Sequence, residues 1–233
     1  MLFACFSSER FTLFELRNAL TFDSIEQAHT LLESVRKHRL KVLLTMAVVT
    51  GMRRGELLAL RWSNIDFDRQ TLLVLHTVDY ISKYGYVETE PKTAAGKRVV
   101  SLPSFLIDMI KQHRVQQSEL QLKLGESWEN RDLVFPDLHG GYFNPNYLLK
   151  VFKKILKEAG IPHMPFHDLR HSAPTILLSM GVNMKVVQEL LGHSDISITL
   201  GRYSHVLPSM QKEVMDKWDH EFRDESGMGE KGS

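Results

Sequence analysis

FHDLRHS, residues Phe166–Ser172, sets a histidine and an arginine three positions apart, so that on a helix His167 and Arg170 share one face. Three further stretches accompany it in the chain: TGMRRGELLAL (Thr50–Leu60), ETEPKTAAGKRVVSLP (Glu88–Pro103) and LLGHSDISITLGRYSHV (Leu190–Val206). They supply Arg53, Glu56, Lys92, His193 and Tyr203. Each has an ordinary structural explanation by itself. Arg53 and Glu56 form a helix ion pair, Lys92 is a turn lysine, His193 is a cap or turn residue, and Tyr203 is a half-buried core tyrosine. The information lies in their joint order.

With these four motifs the chain resembles, from about Thr21 to Val206, the catalytic domain of tyrosine recombinases, the phage integrase family. The resemblance implies a DNA breaking-rejoining fold and six catalytic residues, Arg53, Lys92, His167, Arg170, His193 and Tyr203, acting without metal or other cofactor. The chemistry suits these residue types. A phosphodiester is shielded by its own charge, and the planar, permanently charged fork of arginine matches two phosphate oxygens; Arg53 and Arg170 fill that role. His193 would add a hydrogen bond to the same phosphate, a cationic counterpart of an oxyanion hole. A tyrosine hydroxyl, with an ordinary pKa of about 10, attacks only with a base and a positive field nearby. By the resemblance, His167 is that base, Tyr203 the nucleophile and Lys92 the acid that protonates the departing 5′ oxygen. The products would be a 3′-phosphotyrosine and a free 5′ hydroxyl, a bond-conserving exchange that needs no ATP. Glu56 resembles the family's acidic residue after the first arginine and would orient that arginine or the histidine cluster.

The net charge of +1 is low for a nucleic-acid binder. Its distribution matters more, because residues 205–233 hold four Lys/Arg against seven Asp/Glu and leave the remainder mildly basic. Arg54, Lys97, Arg98, Lys150, Lys153 and Lys154 are the candidate DNA contacts, with a solvated charged face as the plain alternative for each run. Cys5 is the single cysteine, which excludes an intramolecular disulfide framework and a cysteine-based zinc cluster. The longest apolar run, Leu40–Val49, is interrupted by Lys41 and falls well short of the roughly 20 residues that cross a bilayer. The opening MLFACFSSERF lacks a basic leader and a small-residue cleavage site. These features lead to the expectation of a cytoplasmic protein with no membrane partner.

The periodicities predict a mostly α chain with one small antiparallel sheet, an α+β class. Ile25, Ala28, Leu32 and Val35 recur at helical spacing; Leu40–Thr50 reads as a buried helix closed by Gly51, and a further helix carries Arg53 and Glu56 through Leu60. Thr71–Val78, Tyr86–Glu90 and Arg98–Leu102 read as strands of one sheet, with Lys92 on its second turn. A long polar helix follows Pro103, and a helix from Asn146 to Ala159 follows Asn144-Pro145. The expected organisation is an N-terminal extension (1–20), a catalytic domain (21–207), a C-terminal helix (208–223) and a disordered tail (224–233). Met210, Val214, Trp218 and Phe222 stripe the C-terminal helix, for docking on its own domain or on a neighbouring protomer. The expected partner is double-stranded DNA, bound as a homotetramer, with a monomer in isolation. Family members usually carry a helical DNA-binding domain before this region, so the expectation is of the catalytic domain alone.

A metal site is the competing use of His163, His167 and His171, spaced by four. Pro165 disfavours helix at Met164 and separates His163 from the other two. Two departures from the family pattern stand out. Pro174 cannot return a hydrogen bond to Arg170, a loss worth about 3 kcal/mol inside a helix but tolerated if the helix starts near Arg170. Gly201 weakens any helix before Tyr203 by roughly 1 kcal/mol. Two rival functions remain, a type IB topoisomerase and a DNA-binding remnant or accessory protein without productive cleavage.

Overall fold

The KVLLTMAVVT run has no polar face, and in the computed structural model, which describes residues 25–91, 96–191 and 215, it forms the central helix. In chain order the elements are α1 (Ile25–Ser34), α2 (Lys41–Thr50), α3 (Arg54–Leu58), β1 (Ile65–Asp66), β2 (Thr71–Val74), β3 (Thr77–Ile81) and β4 (Gly85–Thr89). They are followed by β5 (Arg98–Ser101), α4 (Ser104–Leu124), α5 (Pro145–Glu158), α6 (Asp168–Ser179) and α7 (Met184–Leu191). The architecture is mostly helical with small antiparallel sheets, as expected.

Helix α2 is buried from Val42 to Val48 because it packs against α1, α4 and α6. Its two buried hydroxyls stay inside the helix, Thr45 donating to the Lys41 carbonyl at 2.8 Å and Thr50 to that of Met46 at 2.6 Å. Neither leaves an unpaired polar group in the core. In α1 the buried residues are Ala28 and Leu31, followed by Val35 just past its end, with the expected Leu32 only partly buried. Helix α5 is capped by Asn144, whose side-chain oxygen accepts from the amides of Asn146 (2.9 Å) and Tyr147 (3.1 Å), and Pro145 occupies its first turn. Leu148, Phe152, Ile155 and Leu156 face the core, while Lys150, Lys153 and Lys154 face solvent.

The apolar LVF segment, Leu133–Phe135, runs antiparallel to the chain that leaves α3, with an Arg61–Leu133 bridge. Val134 donates to the Leu60 carbonyl at 2.8 Å, and Trp62 donates to Asp132 at 2.8 Å. His113 of α4 closes this region with its Nε2 at 2.7 Å from the Val134 carbonyl, which can only accept, so Nε2 carries the proton. Burial between Trp62 and Phe135 pushes the imidazole below its ordinary pKa, against the smaller upward effect of that hydrogen bond.

Three expectations need correction. Thr71–Val78 is two strands in two sheets: β2 pairs with β1 and β5, while β3 pairs with β4 in a separate hairpin. The split lets β3 lie along α3, where Gly55 permits an approach that a Cβ would block, at 2.2 Å from Thr77 Oγ1 and 2.8 Å from the Val78 carbonyl. The helix carrying Glu56 is shorter than expected and ends at Leu58, since Leu60 turns to bond the LVF segment. Helix α6 starts at Asp168, so Pro174 lies in its interior and not in a tolerant first turn.

Gly51 ends α2 in the left-handed region at φ 60°, its amide bonded to the Ala47 carbonyl at 3.2 Å. A Cβ there would stand 2.7 Å from Leu191 Cδ2 and 3.3 Å from Ala173 Cβ, so α2, α6 and α7 meet at a glycine. Gly85, at φ 74°, has nothing within 4 Å of the same position. Gly85→Ala should therefore lose only the conformational cost of about 1–2 kcal/mol. Gly51→Ala should lose roughly 1–3 kcal/mol more through overpacking. Urea unfolding of the two variants measures the difference directly.

Candidate active site

The left-handed turn at Gly51 swings the chain into an extended Arg53 (φ −67°, ψ 150°), which stands at the N-cap of α3. Glu56, on the first turn, reaches back to it. Its carboxylate accepts from the Arg53 amide at 2.8 Å and from Arg53 Nη1 at 2.7 Å. The amide bond is the return half of a capping box, and a carboxylate is favoured beside the positive end of a helix. The Arg53 side chain remains 43% exposed although Glu56 is 2% exposed. One end of the pair is thus fixed in the interior and the other presented at the surface.

Arg170 lies on the first turn of α6 and is buried. Its Nη1 donates to the Gly51 carbonyl at 2.6 Å and its Nη2 donates to the Leu191 carbonyl. Gly51 is two residues before Arg53, and Leu191 two residues before His193. One guanidinium therefore ties the motif of the first arginine to the helix that leads into the last motif. The aim of Arg170 is set by these two carbonyls despite the proline four residues on. His167 precedes α6 and is exposed, its ring edge-to-face with His171 at 4.8 Å between centroids. His163 stands in non-helical chain before Pro165, as the sequence predicts, and among the described residues no cluster of three His, Cys, Asp or Glu is placed to hold a metal ion.

The remaining expected residues divide sharply. Lys92, His193 and Tyr203 lie outside the described residues, as do Gly201 and the stripe of Met210, Val214, Trp218 and Phe222. The ends of the Lys92 segment are nevertheless fixed. A Cβ on Gly96 would stand 2.4 Å from Pro91 Cβ, and Glu90 pairs with Lys97 at 2.6 Å across the same closure. Arg54 pairs with Asp79 at 3.4 Å, and Lys154 with Glu158 at 3.6 Å on the outer face of α5.

Arg98 is a correction. Placed among the surface cations by sequence, it is only 6% exposed and holds the Glu56 carboxylate with both Nη atoms, at 3.1 and 2.9 Å. Its Nε donates to the Leu190 carbonyl at 2.9 Å and Nη1 also reaches the Gly96 carbonyl at 3.3 Å. Its Nε and both Nη atoms are engaged by interior acceptors, so it is not one of the surface cations. A signal for this was present in the strand alternation, since Arg98 has the parity of the buried Val100 and Leu102 and not of the exposed Val99 and Ser101.

The phage integrase family model matches residues 18–210. The chain belongs to the phage integrase family. A XerC-like tyrosine recombinase of Caldanaerobacter subterraneus is 40% identical over 204 residues, covering 83% of this chain and 52% of the relative. The ICEBs1 integrase of Bacillus subtilis is 30% identical over 179 residues, covering 77% and 48%. The chain thus spans about half the length of these curated relatives. Among solved structures, the Tn1549 transposon integrase in complex with transposon right end DNA aligns with a TM-score of 0.72 at 20% identity over 85% of this chain and 66% of that one. XerA recombinase aligns with a TM-score of 0.61 at 23% identity over 83% and 63%. The described helices and sheets therefore have the fold of integrase-family catalytic domains. Among the described residues no helix is long and apolar enough to cross a membrane.

Within this family member, burial would raise the Glu56 pKa. The bonds and charge of Arg98, with the Arg53 amide and guanidinium, outweigh burial and hold it below 4.5. A depressed carboxylate contributes stability above its unfolded-state pKa and loses it as pH falls through the folded-state value. Glu56→Gln should accordingly be less stable than the parent at neutral pH, with the gap narrowing as pH drops below about 4.5. Thermal midpoints taken across that range would show a constant gap if folding left the Glu56 pKa unshifted, and a gap that widens on acidification if the carboxyl were neutral in the fold.

Proposed function

We propose that this chain is the catalytic domain of a site-specific tyrosine recombinase, cleaving and rejoining double-stranded DNA during integration or excision of a mobile element. The observation that carries the reading is the Arg170 guanidinium bonded at once to the Gly51 and Leu191 carbonyls. It draws motifs more than a hundred residues apart into one place, with Arg53 presented beside them. The XerC-like and integrase names of the relatives and the DNA in the Tn1549 complex support the same reading.

In the proposed reaction the scissile phosphate lies between Arg53 and Arg170, whose charges and N–H donors offset the charge added in the pentavalent transition state, with His193 as a third donor. Tyr203 Oη attacks phosphorus and yields its proton to His167. The bond from phosphorus to the 5′ oxygen breaks, and Lys92 protonates that oxygen. One phosphoester replaces another, so a 5′ hydroxyl of a second strand can reverse the step and release Tyr203. Neither step calls for a nucleotide or metal cofactor. Glu56 holds Arg53, and Arg54, Lys97, Lys150, Lys153 and Lys154 are proposed to contact the DNA backbone.

The proposed domain limits are residues 21–207, with 208–223 docking in cis or on a neighbouring protomer of a homotetramer. The proposed place of action is the cytoplasm. Incubation in EDTA with nicked duplexes carrying the element's own site should give a covalent protein–DNA adduct on a denaturing gel. Tyr203→Phe should lose the adduct while keeping DNA affinity, and Arg53→Ala should slow its formation by about 10²–10³-fold. An adduct that survives Tyr203→Phe would overturn the assignment.

A further inference from the structure

We infer that Arg98 is a positioning residue that locks together the three segments leading to Arg53, Lys92 and His193. Its guanidinium has five N–H donors in a rigid plane, and the structure spends four of them on acceptors from three places. Both Nη atoms grip Glu56, the residue that holds Arg53 by its amide and side chain. Nη1 also reaches the Gly96 carbonyl, just after the segment that holds Lys92, at a position where an added Cβ would stand 2.4 Å from Pro91 Cβ. Nε bonds the Leu190 carbonyl, in the last turn of α7. That carbonyl and its neighbour at Leu191 are adjacent acceptors on α7. Arg98 takes one and Arg170 takes the other. The helix leading to His193 is therefore held by two guanidiniums, one from strand β5 and one from α6.

This arrangement does more than satisfy a buried carboxylate. A lysine would neutralise Glu56 equally well, but three donors on a single tetrahedral nitrogen cannot reach a carboxylate and two carbonyls that lie in different directions. The geometry therefore demands arginine for alignment and only a cation for stability. The role in catalysis rests on the recombinase reading above, whereas the mechanical coupling does not.

The test is Arg98→Lys; if lysine fails to fold, Arg98→Gln in a Glu56→Gln background is taken through the same measurements against Glu56→Gln alone, so that no buried charge is left unpaired. At saturating nicked duplex, single-turnover adduct formation should fall at least 10-fold, while the dissociation constant for the duplex stays within about 3-fold of the parent. Amide hydrogen exchange without DNA should quicken in peptides covering residues 90–98 and 186–191 and stay unchanged in α1 and α2. An adduct rate within 3-fold of the parent, or a loss confined to affinity, overturns the positioning role. Unchanged exchange in both peptides overturns the coupling, whatever the activity. If the parent forms no adduct and exchange quickens as expected, the recombinase reading fails and the coupling stands.

Discussion

A carboxylate taken out of water must be met by donors, and the burial of Glu56 organises the centre of this protein for that reason. Its two oxygens receive the Arg53 amide, the Arg53 guanidinium and both Nη atoms of Arg98. Breaking such a pair leaves an uncompensated charge in the interior, a penalty of about 3–5 kcal/mol where it has been measured. The carboxylate thus fixes the start of α3, the inner face of β5 and, through Arg98, the end of α7. None of these contacts is local except that to Arg53. Strand β5, the short helix α3 and α7 come together around one buried charge.

The second constraint is steric. Gly51 brings α2, α6 and α7 closer than any side chain would allow, and its carbonyl receives Arg170. Gly55 does the same for α3 against β3. The two glycines of TGMRRGELLAL are therefore spaced to admit neighbours on either side of Arg53.

Much of this was legible in the sequence. The largely apolar KVLLTMAVVT, the Asn144-Pro145 cap and the left-handed stop at Gly51 are local rules, and each of these elements formed where its residues direct. The pairing of Arg53 with Glu56 is local too, at three-residue spacing. What escaped is what depends on distant partners. Thr71–Val78 is uniformly strand-like, and nothing within it announces that its second half will leave the sheet to lie on α3. Arg98 sits beside Lys97 in a run of cations, and charge counting treats the two alike. Only the partner decides: Lys97 meets Glu90 at the surface, and Arg98 meets Glu56 in the interior.

Pro174 shows how such long-range bonds can carry a site through a local defect. A proline inside α6 has no amide to return to the Arg170 carbonyl, which weakens the helix on the turn that must hold Arg170 steady. If helix regularity alone aimed that side chain, its direction would be the least certain feature of the site. The guanidinium is instead gripped from outside the helix, by carbonyls of Gly51 and Leu191 that belong to two other elements. Those elements are in turn held by the packing at Gly51 and by Arg98 at Leu190. The orientation of Arg170 is therefore a property of the assembled core and not of α6, so a departure in the helix sequence leaves the arrangement of the site in place.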